Sequence, residues 1–443
     1  MIRTSPFMHL LFVMFLVLGI TSCKDDKDPV VPDNSPIINS IAPDSGPKGT
    51  VVTITGSKFS ADPAAVQVYF NEVQASVTST SANEIVVVVP AKAGTGKVRV
   101  VVGTDSGTGP VFNFVYTVSV STFTGLGVAG FADGDASVAK FNFPRGMAID
   151  QLDNIYVADE LNQRIRIIAP NGTVTTFCGS GLAGHSDGTP AVAKFNSPND
   201  VAYDGINNYI YVADKGNHCL RRLSISGYAT TAAGIPGSAG YVDGPGTSAR
   251  LNSPTGVAVE GELASVYIAD AGNHCIREHN YLEILSTFAG STVSGQQDGI
   301  GASAKFSAPA DIDWDTAGYL YVTDKVNHNI RRISMSKEVT TVAGIGIAGY
   351  QDGDGFQALF NAPEGISAMN GGLVVADVAN QRIRGIDAML KVSSLAGDGT
   401  QGWGDGTGAV AKFKNPGGVV RDSNGDYFIA DTGNHLIRKL TID

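Results

Sequence analysis

The chain is expected to be all-β, a small sandwich over residues 36–117 followed by a six-bladed β-propeller over residues 118–443. Three observations lead there. An Asp that closes a strand recurs at Asp159, Asp214, Asp270, Asp324, Asp377 and Asp431, with spacings of 55, 56, 54, 53 and 54 residues. An Asp-Gly pair keeps the same beat, at Asp133, Asp187, Asp243, Asp298, Asp352 and Asp405. The last repeat stops at Asp443 after its third strand, while a fourth-strand sequence, residues 120–125, stands ahead of the first repeat. Periods of this length mark propellers or solenoids. Only a ring has a use for the split, because an N-terminal strand that completes the last sheet removes two exposed edges. A solenoid would instead cap both ends.

Composition fits a turn-rich β protein. Of 443 residues, 54 are Gly and only 16% are charged, while 43% are hydrophobic, which excludes wholesale disorder. The net charge of −11, with no basic run, excludes the positive stripe that nucleic acid demands. Four cysteines are too few and too scattered for a disulfide scaffold, and their spacing does not suit zinc.

Taken in order, the first element is an address. Arg3 precedes an apolar run from Leu10 to Ile20, long enough for a signal-peptide core and too short to span a bilayer. The run ends in Ile20-Thr21-Ser22-Cys23, which resembles a bacterial lipobox and implies cleavage after residue 22 and lipidation of Cys23. Lys24-Asp25-Asp26-Lys27-Asp28 resembles the surface-export signal of Bacteroidetes-type lipoproteins. The expectation is a signal peptide over 1–22, a tether over 23–35, and a chain anchored by lipid at the outer membrane and exposed at the surface.

The second element reads as strands punctuated by Gly/Pro turns: 51–56, 66–70, 85–89 and 97–102, with turns at Pro43-Asp44-Ser45-Gly46 and Ala93-Gly94-Thr95-Gly96. About 80 residues of this pattern suit an immunoglobulin-like sandwich. Ile41-Ala42-Pro43, Gly46-Pro47-Lys48-Gly49, Val52 through Phe59 and Val68-Tyr69-Phe70-Asn71 resemble the IPT/TIG family. The resemblance implies a spacer.

Each later repeat reads as four strands, in the first repeat 146–149, 154–158, 164–168 and 174–177. Pro144-Arg145-Gly146-Met147-Ala148-Ile149-Asp150, Asn154 through Asp159 and Asn162-Gln163-Arg164-Ile165-Arg166 resemble the NHL repeat. The strand-closing Asp is followed three residues on by Asn and seven on by Arg166, Arg221, Arg277, Arg331, Arg384 or Arg438. Residues needed once per blade read as scaffold, with Asp and Asn in the tight turn and Arg reaching back across the hairpin. His218, His274, His328 and His435 share a position with Gln163 and Gln381, so they read as hydrogen-bonding groups and not as zinc ligands.

Positions that vary among blades carry the function. Two residues before each Asp-Gly pair stand Phe131, His185, Tyr241, Gln296, Tyr350 and Trp403. Exposed rings there would form a rim able to stack on sugars, with Trp403 the strongest candidate, or each would pack under its own loop. At the entrance of the inner strands, Asn199, Asp200, Asp311, Asp313 and Glu364 are placed to approach the channel as an oxygen-rich cluster suited to Ca2+. Similar six-bladed lactonases and hydrolases place a cation there, which the resemblance extends to this chain. No nucleophile elbow, zinc-protease, P-loop or dinucleotide motif is present. Three functions follow as expectations: binding of an extracellular glycan, cation-dependent lyase or lactone-hydrolase chemistry, or docking of another envelope protein.

Overall fold

The computed structural model describes residues 34–261, 265–369 and 371–443. Cys23, the signal sequence and most of the tether lie outside them. The chain divides into two compact units.

In the N-terminal unit, neighbouring strands run in the order Ile37–Ala42, Val51–Ser57, Glu84–Val88, Val73–Thr80, Val66–Phe70, Gly96–Val102 and Asp105–Phe114. Val73–Thr80 was illegible in sequence, because the alternation of Val73, Ala75 and Val77 is short and built from small side chains, and Thr78-Ser79-Thr80 ends it. It joins the two halves: Val73 to Ala75 pair with Val66–Phe70, and Ser76 to Thr80 pair with Glu84–Val88 across an irregularity at Val77. The sheet therefore rolls into a nearly closed immunoglobulin-like fold around Val52, Ile54, Val68, Phe70, Val98 and Phe112. Alternating residues supply that core because side chains in a strand point to opposite faces in turn.

The propeller has six blades, each a four-stranded antiparallel sheet. In blade one the inner strand is Pro144–Ile149, followed outward by Ile155–Asp159, Arg164–Ile168 and Val174–Cys178. The inner strands of blades two to six are Pro198–Asp204, Pro254–Val259, Pro309–Trp314, Pro363–Met369 and Pro416–Arg421. Blade six is completed by Val118–Thr124, which pairs along Leu436–Ile442 from Ile442↔Val118 to Ile437↔Thr124. The ring closes as the split repeat requires.

The apolar core lies between blades. Tyr156, Ile165 and Cys178 of blade one pack with Phe195, Val201 and Val212 of the next. Cys178, Cys219 and Cys275 are buried free thiols, acting as small hydrophobes.

Each Asp-Gly loop covers the outer edge of the blade it leads into. Gly134 and Gly188 make single bridges to Val174 and Ala229, and Gly244–Pro245, Gly299–Ile300, Gly353–Asp354 and Gly406–Thr407 pair as short fifth strands. These six glycines have φ between 133° and 154°, which explains why Gly follows every one of the Asp residues.

Candidate functional site

The recurrent polar residues form a clamp. Arg331 is fully buried. Its Nη1 donates to Asp324 Oδ2 at 3.0 Å and to the Lys305 carbonyl, while Nη2 donates to Asp298 Oδ1 at 2.6 Å and to the Gln297 carbonyl. One guanidinium thus ties the second strand, the third strand and the covering loop together, and the other blades repeat the arrangement. Asp324 also caps the turn, accepting from the Ser307 backbone and from Asn327 Nδ2. Arg331 Nε is buried without a hydrogen-bond partner, but both terminal nitrogens are matched by carboxylates and carbonyls, which makes the buried charge tolerable.

The His/Gln position, in left-handed conformation with φ of 53–56°, latches one blade to the next. His218, His274, His328 and His435 accept through Nδ1 from the backbone N–H of Ser253, Ala308, Ala362 and Phe143. Gln163 and Gln381 accept through Oε1 from Ser197 and Asn415. The amide replaces the imidazole bond for bond.

The rim side chains are half-exposed and anchored. Tyr241 and Tyr350 hydrogen-bond to Thr287 and Ser394, His185 to Thr231, and the Trp403 indole N–H to Thr122, each partner on an outer strand. Phe131 lies under the Arg164 guanidinium at 3.8 Å, and Tyr350 under Arg382 at the same distance. Trp403 keeps 53% of its surface exposed. These residues stand one to a blade and do not converge on a common point.

Convergence occurs on the axis. Next to the inner-strand entrance stand Gly146, Asp200, Gly256, Asp311, Gly365 and Gly418. A Cβ at Gly146 would meet Asp200 Oδ1 at 1.8 Å, and one at Gly418 would meet the Arg145 carbonyl at 2.6 Å. The inner strands are therefore tightest here, and only two blades have room for a side chain. Asp200 and Asp311 hydrogen-bond to each other, and they border both axial cavities as a floor between them. Asp200 Oδ2 also accepts from Val257 N, and Asp311 accepts from Ile312 N and Ile366 N. Burial pushes the Asp311 carboxyl up to about 6; burial, and then the Asp311 charge, raise Asp200 well above the usual range. The pair shares a proton, as two carboxyls in hydrogen-bond contact do.

Below the floor is a cavity of about 570 Å³ walled by Ile149, Tyr203, Trp314, Met369 and Arg421. Asp313 faces this side, accepting from Ala368 N and Trp314 N, and burial pushes its carboxyl up to about 7. Above the floor is a cup of about 380 Å³ lined by Arg145, Asn199, Lys215, Thr255, Lys325 and Glu364, with Ala271, Ala308 and Ala310 between them. Glu364 accepts from Lys325 Nζ at 2.6 Å and Arg145 Nη1 at 2.9 Å, and Arg145 Nε also donates to Glu160 at 2.7 Å. Burial by itself would raise Glu364, but Lys325 and Arg145 outweigh it and hold the carboxyl below its usual range.

The five residues expected to share a cation do not form one shell. Asp313 lies on the far side of the floor, Glu364 is engaged by two cations, and Asp200 and Asp311 are engaged by each other and by backbone N–H groups. Asn199 stands on the cup wall. Among the described residues no three His, Cys, Asp or Glu side chains approach closely enough to hold a metal. Calcium needs six to eight oxygens with free lone pairs, so these residues do not fit it.

Lys215 and Lys325, which the sequence analysis does not single out, complete the cup, and Glu160 holds Arg145 in place. Their signal was present: the residue after each strand-closing Asp varies as Glu160, Lys215, Ala271, Lys325, Val378 and Thr432.

The IPT/TIG domain family matches residues 36–118, and the NHL repeat family matches 141–168, 195–223 and 413–440. The chain is 32% identical over 330 residues, 70% of its length, to Protein SUPPRESSOR OF QUENCHING 1, chloroplastic, of Arabidopsis thaliana, and spans 31% of that relative. It is similar in fold to a protein of unknown function from Bacteroides thetaiotaomicron, with TM-score 0.65, 22% identity and coverage of 93% of this chain and 99% of that one. It is likewise similar to an auxiliary nutrient binding protein of the same organism, with TM-score 0.59, 17% identity and coverage of 92% and 98%. An IPT/TIG domain followed by a six-bladed propeller with NHL repeats is the architecture of this chain.

Proposed function

We propose that the chain is a surface lipoprotein, anchored at the outer membrane through Cys23, whose propeller binds an extracellular glycan, with the IPT/TIG domain as spacer. The observation that carries the binding role is the cup above the Asp200–Asp311 floor. It is concave, it alternates charged side chains with alanine methyls, and Arg145, Lys325 and Glu364 are held in place before any ligand arrives. A site of that kind suits a sugar, which presents hydroxyls and C–H faces in turn. The auxiliary nutrient binding protein of similar fold supports the reading. Glu364, kept ionised by Lys325 and Arg145, is an acceptor fixed for hydrogen bonding and a poor proton donor near neutral pH.

An acid–base enzyme has one observation in its favour, the proton-sharing Asp200–Asp311 pair exposed to both cavities. One experiment separates the readings: calorimetric titration of the full chain with a panel of oligosaccharides. The expected result is saturating heat that Glu364→Gln abolishes, Trp403→Ala spares and EDTA leaves unchanged. Loss with Trp403→Ala alone would move the site to the rim, and continuous heat lost in Asp311→Asn would make the protein an enzyme. Silence across the panel, with a stable protein partner captured by the propeller, would favour the envelope-adaptor reading.

A further inference from the structure

The cup has more donors than acceptors, and one of its cations stands without a partner. Lys215 and Lys325 hold the same place, directly after the Asp that closes the second strand, in blades two and four. Lys325 donates to Glu364, at the inner-strand entrance of the following blade. The corresponding residue after blade two is Thr255, whose hydroxyl donates to the Pro309 carbonyl at 3.0 Å. Lys215 Nζ therefore has the setting of Lys325 without the carboxylate, and among the described residues it makes no hydrogen bond or ion pair. It lines the cup, and its charge reaches Glu364 through space. The Asn199 side chain beside it makes no hydrogen bond among the described residues either.

The surrounding acidic groups are already engaged. Both Glu364 oxygens take cations, Glu160 takes the Arg145 Nε–H, and the Asp200–Asp311 pair takes backbone N–H groups and its shared proton. Lys215, Asn199 and Thr255 are half-buried on the cup wall, so water meets the free donors until a ligand replaces it, and an ammonium so placed is matched best by an ionised oxygen.

Resting on the glycan-binding reading above, we infer that Lys215 and Asn199, in the corner of the cup beside Thr255, recognise the carboxylate of an acidic sugar. The uronate oxygen occupies, against Lys215, the place that Glu364 holds against Lys325. The acidic chain as a whole, at −11, makes this local excess of donors selective and not a general attraction for anions.

The test is calorimetric titration of the full chain with trigalacturonate and with its methyl ester, which removes the charge and keeps the sugar. The ester is expected to bind at least tenfold more weakly, because a charge-assisted hydrogen bond is lost. Lys215→Gln should weaken trigalacturonate binding by a similar factor. Thr255→Glu should abolish it by giving Lys215 an internal partner, with an unchanged thermal midpoint showing that the ring has folded. Equal binding of acid and ester, unaffected by Thr255→Glu and lost in Glu364→Gln, would overturn the carboxylate corner and leave the cup as the sugar site. Absence of binding by both sugars and by the neutral panel would overturn the corner and the glycan reading together.

Discussion

The hydrogen bond from one blade to the next is the residue-scale feature that most limits substitution. His218 Nδ1 accepts from the Ser253 N–H at 3.0 Å, and Gln163 Oε1 accepts from Ser197 at 2.7 Å in the equivalent place. His218→Gln is expected to leave the thermal midpoint nearly unchanged. His218→Leu leaves the Ser253 N–H without its acceptor and should cost about 1–3 kcal/mol, read by denaturant unfolding. Equal loss in both variants would show that the ring matters for its packing and not for its acceptor. The equivalence of His and Gln was legible in the sequence, since two blades already carry Gln. The partner was not, because it is a backbone group some 34 or 35 residues away, fixed only when two blades stand side by side.

At the scale of the element, Val118–Thr124 does the work of a blade's own fourth strand although it lies at the other end of the propeller sequence. Val120 is buried and pairs with Leu440, as Val339 pairs with Ile333 inside blade four. Val120→Asp and Val339→Asp should therefore lower the unfolding free energy alike, by about 3 kcal/mol or more, read by denaturant unfolding, since each buries an unmatched carboxylate. A mild effect at Val120 alone would mean that the ring tolerates an open seam. The strand split could be read directly from the repeat phase. The strand Val73–Thr80 could not, because its alternation of Val73, Ala75 and Val77 with polar residues is short, carries no large apolar side chain and ends in Thr-Ser-Thr. The loops that edge each blade were likewise marked in sequence only by Asp-Gly, whose pairing partner lies across the sheet.

For the whole molecule, the axis couples stability to pH. Asp200 and Asp311 titrate above the ordinary carboxyl range when folded, so the folded state holds protons that the unfolded chain releases near pH 4. The stabilisation is complete below about pH 4; the part carried by Asp311 is lost as pH rises through about 6, and the part carried by Asp200 only above that. Asp200→Asn supplies a neutral donor to Asp311 at every pH. Its unfolding free energy should fall less than that of the parent between pH 5 and 8, the difference amounting to about a few kcal/mol. Parallel pH profiles for the two proteins would show that the pair is not linked to folding. The number of blades, their strands, the closing strand and the scaffold role of the Asp, Asn and Arg residues were determined by the sequence alone, because periodicity and residue spacing are local properties that repetition makes visible. Which acidic residues meet on the axis, and which of them are already engaged, was decided only by the tertiary structure. Six inner strands from separate repeats converge there, and a carboxylate's chemistry depends on its neighbours: Glu364 between two cations is ionised, whereas Asp311 against Asp200 shares a proton. The same convergence turned an expected calcium shell into a protonated floor beneath a cup, with Lys215 left to meet a ligand.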